Sequence, residues 1–246
     1  MFRKMKRSGT TPPVREILAW LERRGTKRNR EGMARYGIVA DKAFGVSVAD
    51  LQKLGRQYGR NHELALALWD TGWYEARMLT AFVDESERVT PAQMDRWTRD
   101  FDNWAICDHV CFHLFDKTPH AWRKVDQWSR KRDEFVRRAA FALLAGLALH
   151  EKGTPDEPFL RALPLIEDAA TDERNFVKKG VSWALRSVGQ RSAVLHAACI
   201  HLARRLADSP QPAARWVGKD ALRDLTRPLV QRRLATRLRA AGTARR

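Results

Sequence analysis

Apolar residues recur along most of the chain at three- and four-residue intervals. Ile17, Leu18 and Leu21, then Leu64, Leu66 and Leu68, then Phe141, Leu144 and Leu147 show the spacing of helices with one buried face. Period-two alternation is scarce, and β-branched aliphatic runs are missing. Breakers separate the helical stretches at Pro12-Pro13, Gly72, Pro91, Pro119, Gly153 to Pro158, and Pro210 to Pro212. Thr90-Pro91, followed by Met94 and Trp97, predicts a capping threonine, a first-turn proline and an amphipathic helix. The pattern predicts an all-α chain.

A longer period lies over the short one. Phe135-Val136-Arg137-Arg138-Ala139-Ala140, Phe176-Val177-Lys178-Lys179-Gly180-Val181 and Trp216-Val217-Gly218-Lys219-Asp220-Ala221 share a phase, with aromatics 41 and then 40 positions apart. A cation follows each aromatic by three places: Arg138, Lys179 and Lys219. Tyr74-Glu75-Ala76-Arg77 and Trp104-Ala105-Ile106-Cys107 read as earlier, shorter copies. A period near 40 with two helices per unit predicts a HEAT-like solenoid, a curved stack of antiparallel helix pairs that buries one continuous core. The recurring aromatic is expected in that core. The recurring cation has no packing reason to keep its phase, so it is expected to follow a phosphate backbone.

Charge sharpens that expectation. The 246 residues carry 46 lysines and arginines against 29 acids, a formal charge of +17. Such a field draws in polyanions, and neutralising DNA phosphates releases condensed counterions. At 44% hydrophobic residues the chain can bury a sizeable core. No apolar run approaches the roughly 20 residues that span a membrane, and none follows the basic start MFRKMKRSGTTPP as it would in a signal peptide. Three cysteines make no disulfide framework. These features predict a cytoplasmic monomer, nucleoid-associated when bound to DNA. They also predict a single helical domain over 1–246, with short basic tails at about 1–10 and 240–246.

The segment from Trp97 to Phe115 is read as one helix in which Trp97, Phe101, Trp104, Cys111 and Phe115 form an aromatic stripe. Asp108 falls one turn after Trp104 on the same stripe, and a carboxylate there must be paired or functional. Two readings stand: a structural salt bridge to a neighbouring repeat, with Arg137 or Arg138, or a working carboxylate. Cys107, His109, Cys111 and His113 mimic a metal site, but the cysteines and histidines share roughly opposite helix faces and cannot converge on one ion. Core cysteines, exposed histidines, no metal and no cofactor are expected. From Asn175 to Arg186, Phe176 and Trp183 interleave with Lys179 and Arg186. That mixture suits stacking plus phosphate anchoring, or a core tryptophan beside solvated charges.

These residues resemble a known family. Trp104-Ala105-Ile106-Cys107-Asp108 is similar to the Trp-to-Asp element of the DNA alkylation repair (AlkD-like) DNA glycosylases, and Phe176 to Arg186 resembles their second aromatic helix. Tyr36, nine residues before Gly45, matches an N-terminal tyrosine of the family, and Arg137-Arg138 matches an arginine pair. The resemblance runs from about Gly32 to about Leu225. It implies a stack of HEAT-like repeats holding duplex DNA that contains alkylated bases, and hydrolysis of the N-glycosidic bond of cationic alkylpurines such as 3-methyladenine and 7-methylguanine. The base would not be flipped into a pocket, unlike in most glycosylases. By position, Trp104 and Trp183 would lie against the deoxyribose, and Asp108 near its anomeric carbon. Tyr36, Arg138 and Arg186 would hold the backbone. Where this chain has Asn175-Phe176, several relatives carry two adjacent aromatics, which bears on lesion range. The alternatives are a non-catalytic HEAT-repeat binder of damaged or branched DNA, and a protein-interaction scaffold, which the charge disfavours.

Overall fold

The computed structural model describes residues 14–243, with side chains as far as residue 236. All regular structure among the described residues is helical. Of the two expected tails, 1–10 lies outside the described residues and 240–246 outside the described side chains. The chain divides into two compact units, Met1–Glu85 and Ser86–Arg246. No helix among the described residues is long and apolar enough to cross a membrane.

In the first unit, α1 (Val14–Arg24), α3 (Val48–Tyr58), α4 (His62–Trp69) and α5 (Tyr74–Val83) bury Ile17, Leu21, Leu51, Leu54, Leu64, Leu68 and Leu79. Helix α2 (Lys27–Arg35) buries no side chain and is tied down at its start. Thr26 caps it, and the Asn29 amide donates to the Gly45 carbonyl at 3.0 Å. Gly45 has φ +84°, and a Cβ there would sit 2.3 Å from the Thr26 carbonyl oxygen, so only glycine fits. The fully buried Glu75 holds this loop by accepting the backbone N–H groups of Phe44, Gly45 and Val46 at 2.9, 2.6 and 3.2 Å.

The second unit contains α6 (Pro91–Arg99), α7 (Trp104–His113), α8 (Ala121–Ser129), α9 (Glu134–His150), α10 (Glu157–Ala169), α11 (Asn175–Gly189), α12 (Ala193–Ala207), α13 (Pro212–Leu225) and α14 (Pro228–Thr243). Helices α7, α9, α11 and α13 pack in sequence as one row, and α8, α10 and α12 back them as another. Each backing helix precedes its partner through a short connection, which makes the pairs α8/α9, α10/α11 and α12/α13 the repeats. The central member is α9: 12 of its 17 residues are buried, so its apolar surface is covered nearly all round.

Thr90 caps α6 from its side chain, with Pro91 in the first turn, as its sequence predicts. Three expectations change. The segment Trp97 to Phe115 is not one helix: α6 stops at Arg99, α7 begins at Trp104, and Phe115 starts a 3-10 turn, Phe115–Lys117. Asn103 causes the restart, its side-chain oxygen accepting the N–H groups of Ala105 and Ile106 at 3.0 and 3.1 Å. Of the recurring aromatics Tyr74 is a core residue, but those of the three longer copies are not. Val136, Val177 and Val217, one place later, take the buried positions, while Phe135 and Phe176 are half-buried and Trp216 is 37% exposed. Finally, His109 is buried rather than exposed, its ring 4.6 Å from that of His113.

Candidate functional site

The cap at Asn103 fixes the phase of α7. Ala105, Cys107 and Cys111 point inward, and Trp104, Asp108 and Phe112 lie one turn apart on a half-buried face. The two thiols dock α7 onto α9, donating at 3.6 Å to the carbonyls of Phe135 and Ala139. Burial pushes the Cys111 thiol well up and that of Cys199 up to about 12, so both remain inert thiols. Among the described residues no group of three or more His, Cys, Asp or Glu could hold a metal ion.

Asp108 faces Arg138 of α9. The guanidinium donates from Nε to Oδ1 at 2.8 Å and from Nη2 to Oδ2 at 2.6 Å. Its remaining nitrogen, Nη1, donates to the Phe176 carbonyl of α11 at 2.6 Å. One side chain therefore ties together α7, α9 and α11, the helices that carry Trp104, Asp108, Phe176, Lys179, Trp183 and Arg186, while Lys219 lies on α13 and Tyr36 at the end of α2. The pair is largely withdrawn from water, with side chains 8% and 18% exposed for Arg138 and Asp108. A Cβ at position 180 would lie 3.3 Å from the Arg138 Cγ, so Gly180 leaves α11 room for the arginine stem. Burial pushes the Asp108 carboxyl above its ordinary value, and the Arg138 charge opposes this without cancelling it. Burial also works against the Arg138 charge, but Asp108 outweighs it and holds the guanidinium firmly protonated.

Trp183 projects from α11, half-buried, and stacks on Phe112 with ring centroids 5.9 Å apart and planes at 27°. Asp108 and Phe112 on α7, Arg138 on α9, and Phe176 and Trp183 on α11 are thus linked by the Asp108–Arg138–Phe176 bonds and the Phe112–Trp183 stack, with Trp104 one turn before Asp108 on α7. Phe176 also meets Phe135, centroids 5.4 Å apart. Lys179 and Lys219 are exposed and form no ion pair with a described residue, whereas Lys178 lies 5.4 Å over the Trp216 ring. Arg186 is partly engaged, donating to the Ser182 carbonyl at 3.3 Å and standing 3.7 Å from Asp220. Tyr36, in the first unit, is 74% exposed at the end of α2.

The cations of equal phase therefore differ. Arg138 is a buried ion-pair partner, while Lys179 and Lys219 face solvent. Sequence reasoning missed Phe112, although it stands four residues after Asp108, and the outward placement of Phe135. It also missed Asp172, which accepts from Arg137 Nη1 at 2.9 Å and from Arg174 Nε at 2.9 Å and Nη2 at 2.6 Å.

Two rows of paired helices with cations and aromatics on one row define a HEAT-like repeat protein. A profile of the DNA alkylation repair enzyme family matches residues 17–225, and the chain belongs to that family. A solved structure reported as "A new family of proteins related to the HEAT-like repeat DNA glycosylases with affinity for branched DNA structures" superposes with a TM-score of 0.71 at 19% identity, covering 85% of this chain and 94% of the other. That likeness shows the fold. Among curated proteins none matches the chain.

Proposed function

We propose that the protein is a DNA glycosylase that hydrolyses the N-glycosidic bond of cationic alkylpurines, of the 3-methyladenine and 7-methylguanine type, in duplex DNA. The observation that carries this reading is the water-poor Asp108 carboxylate, one turn along α7 from Trp104 on one side and from Phe112, which stacks on Trp183, on the other. Alkylation leaves the purine positively charged, so it departs without a general acid. The barrier lies in the oxocarbenium-like sugar. Indole faces stabilise a nearby cation by about 0.5–2 kcal/mol each. Asp108 spends one lone pair of each oxygen on Arg138 and keeps the other to accept a hydrogen bond from the attacking water. The fixed pair is preorganised before the sugar charge develops.

Arg138 acts in this scheme by holding Asp108, not by holding phosphate. Phosphate contacts fall to exposed Lys179 and Lys219, with the half-exposed Arg186 and, in the first unit, Tyr36. Phe176 offers a stacking edge. Trp104, Asp108, Phe176 and Trp183 all remain partly open on helix faces, which suits a reaction without base flipping. The scheme needs no metal or cofactor, and it reads 1–246 as a single domain acting as a cytoplasmic monomer, nucleoid-associated when bound to DNA. Neutral purines are poor substrates, because nothing in it protonates the leaving base.

One observation favours a second reading. The Arg138 pair satisfies Asp108 structurally, and the related fold is reported with affinity for branched DNA. A non-catalytic binder of branched DNA would keep that pair for stability alone. Incubation with duplex DNA containing 7-methylguanine separates the two: a glycosylase releases the free base, whereas a binder releases none and prefers a four-way junction to the duplex.

A further inference from the structure

Phe112 and Trp183 meet across an intervening helix. Phe112 stands on α7 and Trp183 on α11, and α9 runs between them. Two ridges of four-residue spacing explain the contact. One, on α7, carries Trp104, Asp108 and Phe112, with Asp116 in the 3-10 turn just beyond it; the other, on α9, carries Arg138, Ala142, Gly146 and His150. Ala142 and Gly146 keep the middle of the second ridge low, which leaves room for rings to close over it.

Two further rings hold Phe112. His150 packs on it with centroids 4.3 Å apart and planes at 65°, and His113 packs on it edgewise at 5.4 Å and 81°. His150 Nδ1 is hydrogen-bonded to Oδ2 of Asp116, whose side chain is fully buried. A Cβ at position 146 would come 3.2 Å from that same oxygen, so Gly146 makes the seat. Oδ1 of Asp116 has no hydrogen-bond partner among the described residues. A buried carboxylate with an unfilled oxygen costs stability, and burial pushes its pKa up against the pull of His150. The fold retains this costly group where it fixes the ring behind Phe112.

We infer that Phe112 is a positioning residue for Trp183: seated on the His150–Asp116 pair, it fixes the indole face offered to the damaged nucleotide. The inference rests on the excision reading above. Attraction between a cation and an indole requires the charge over the ring face within about 6 Å, and a half-buried tryptophan without a backing ring can turn that face away.

The test uses full-length protein labelled with 5-fluorotryptophan, its Trp183 fluorine line assigned by Trp183→Phe. The same preparations are assayed for single-turnover release of 7-methylguanine. Phe112→Leu shifts and broadens the Trp183 line and slows release about tenfold, while DNA affinity changes by less than about threefold. Phe112→Tyr, which keeps the ring, restores both readouts. His150→Ala moves both in the same direction by less. An unmoved Trp183 line, or release by Phe112→Leu within about twofold of wild type, overturns the inference alone. A lowered Tm with line and rate unchanged assigns Phe112 a purely structural role and also overturns it. Wild-type protein that releases no base overturns the excision reading, and this inference with it.

Discussion

Arg137 and Arg138 leave adjacent positions of α9, and each reaches an aspartate on another segment. Arg137 goes to Asp172, in the turn before α11, where Arg174 adds three further donors, its backbone N–H, Nε and Nη2. Burial pushes the Asp172 carboxyl up, but those bonds and charges outweigh it and hold its pKa below the ordinary range. Arg138 goes to Asp108, where two bonds do not outweigh burial and the pKa is raised. A carboxylate whose folded pKa is depressed strengthens the fold, so Asp172 belongs to the scaffold. A carboxylate held ionised at a cost to the fold is the pattern of a working group. Of the two readings that the sequence leaves open for Asp108, the salt bridge is present, to Arg138, and the working role is the one proposed above.

The largest effect falls on Asp108. Asp108→Asn cuts single-turnover release of 7-methylguanine about a thousandfold, while binding of methylated duplex, read by anisotropy, changes little. Asp172→Asn, by contrast, leaves release per folded molecule unchanged and lowers Tm, with a stability loss of about 2 kcal/mol. Equal loss of release in both variants would erase the distinction between the pairs. Arg138→Lys keeps the charge but loses the two-pronged grip, and it slows release about tenfold or more. Removing the partner outright, in Arg138→Ala, costs about 3 kcal/mol because Asp108 is left buried and unpaired.

The pH dependence sharpens the same contrast. Release, corrected for spontaneous depurination, declines on the acid side with an apparent pKa above 3.8, the ordinary aspartate value. For stability the signs are opposite. The Asp172 contribution is present above its unfolded pKa and is lost as pH falls through its depressed folded value. The Asp108 contribution is present below its unfolded pKa and is lost as pH rises through its raised folded value. Thermal melts of Asp108→Asn and Asp172→Asn across the acid range read both signs.

The smallest effects concern the cations of matching phase. Lys179→Ala and Lys219→Ala each lower the salt dependence of DNA affinity by about one unit. Arg138→Lys leaves that slope unchanged, because its guanidinium touches no phosphate in this scheme. A slope lowered as much by Arg138→Lys would return Arg138 to the DNA backbone.

Much of the fold can be read from the residues. Proline and glycine breakers bound α6, α10 and α13, and the 41- and 40-residue steps mark the second helix of each repeat. What misleads is phase. Phe135-Val136, Phe176-Val177 and Trp216-Val217 each offer two apolar neighbours, and spacing alone does not say which enters the core; the smaller valine does. Trp97, Phe101 and Trp104 keep helical intervals across a break, because Asn103 caps a new helix without disturbing the count. Arg137 and Arg138 both qualify from the sequence as partners of Asp108, and direction along α9 decides for Arg138. Phe112 against Trp183 was not legible, since that contact depends on two small residues of a third helix.

The proposed function turns on Asp108 as a working carboxylate held ready by Arg138. The most direct measurement is single-turnover release of 7-methylguanine from methylated duplex by wild type and Asp108→Asn, with binding followed on the same samples. The wild type is expected to release base, Asp108→Asn none above background, and both to bind with similar affinity. Equal release by the two proteins, or a wild type that binds and releases nothing, would contradict that role.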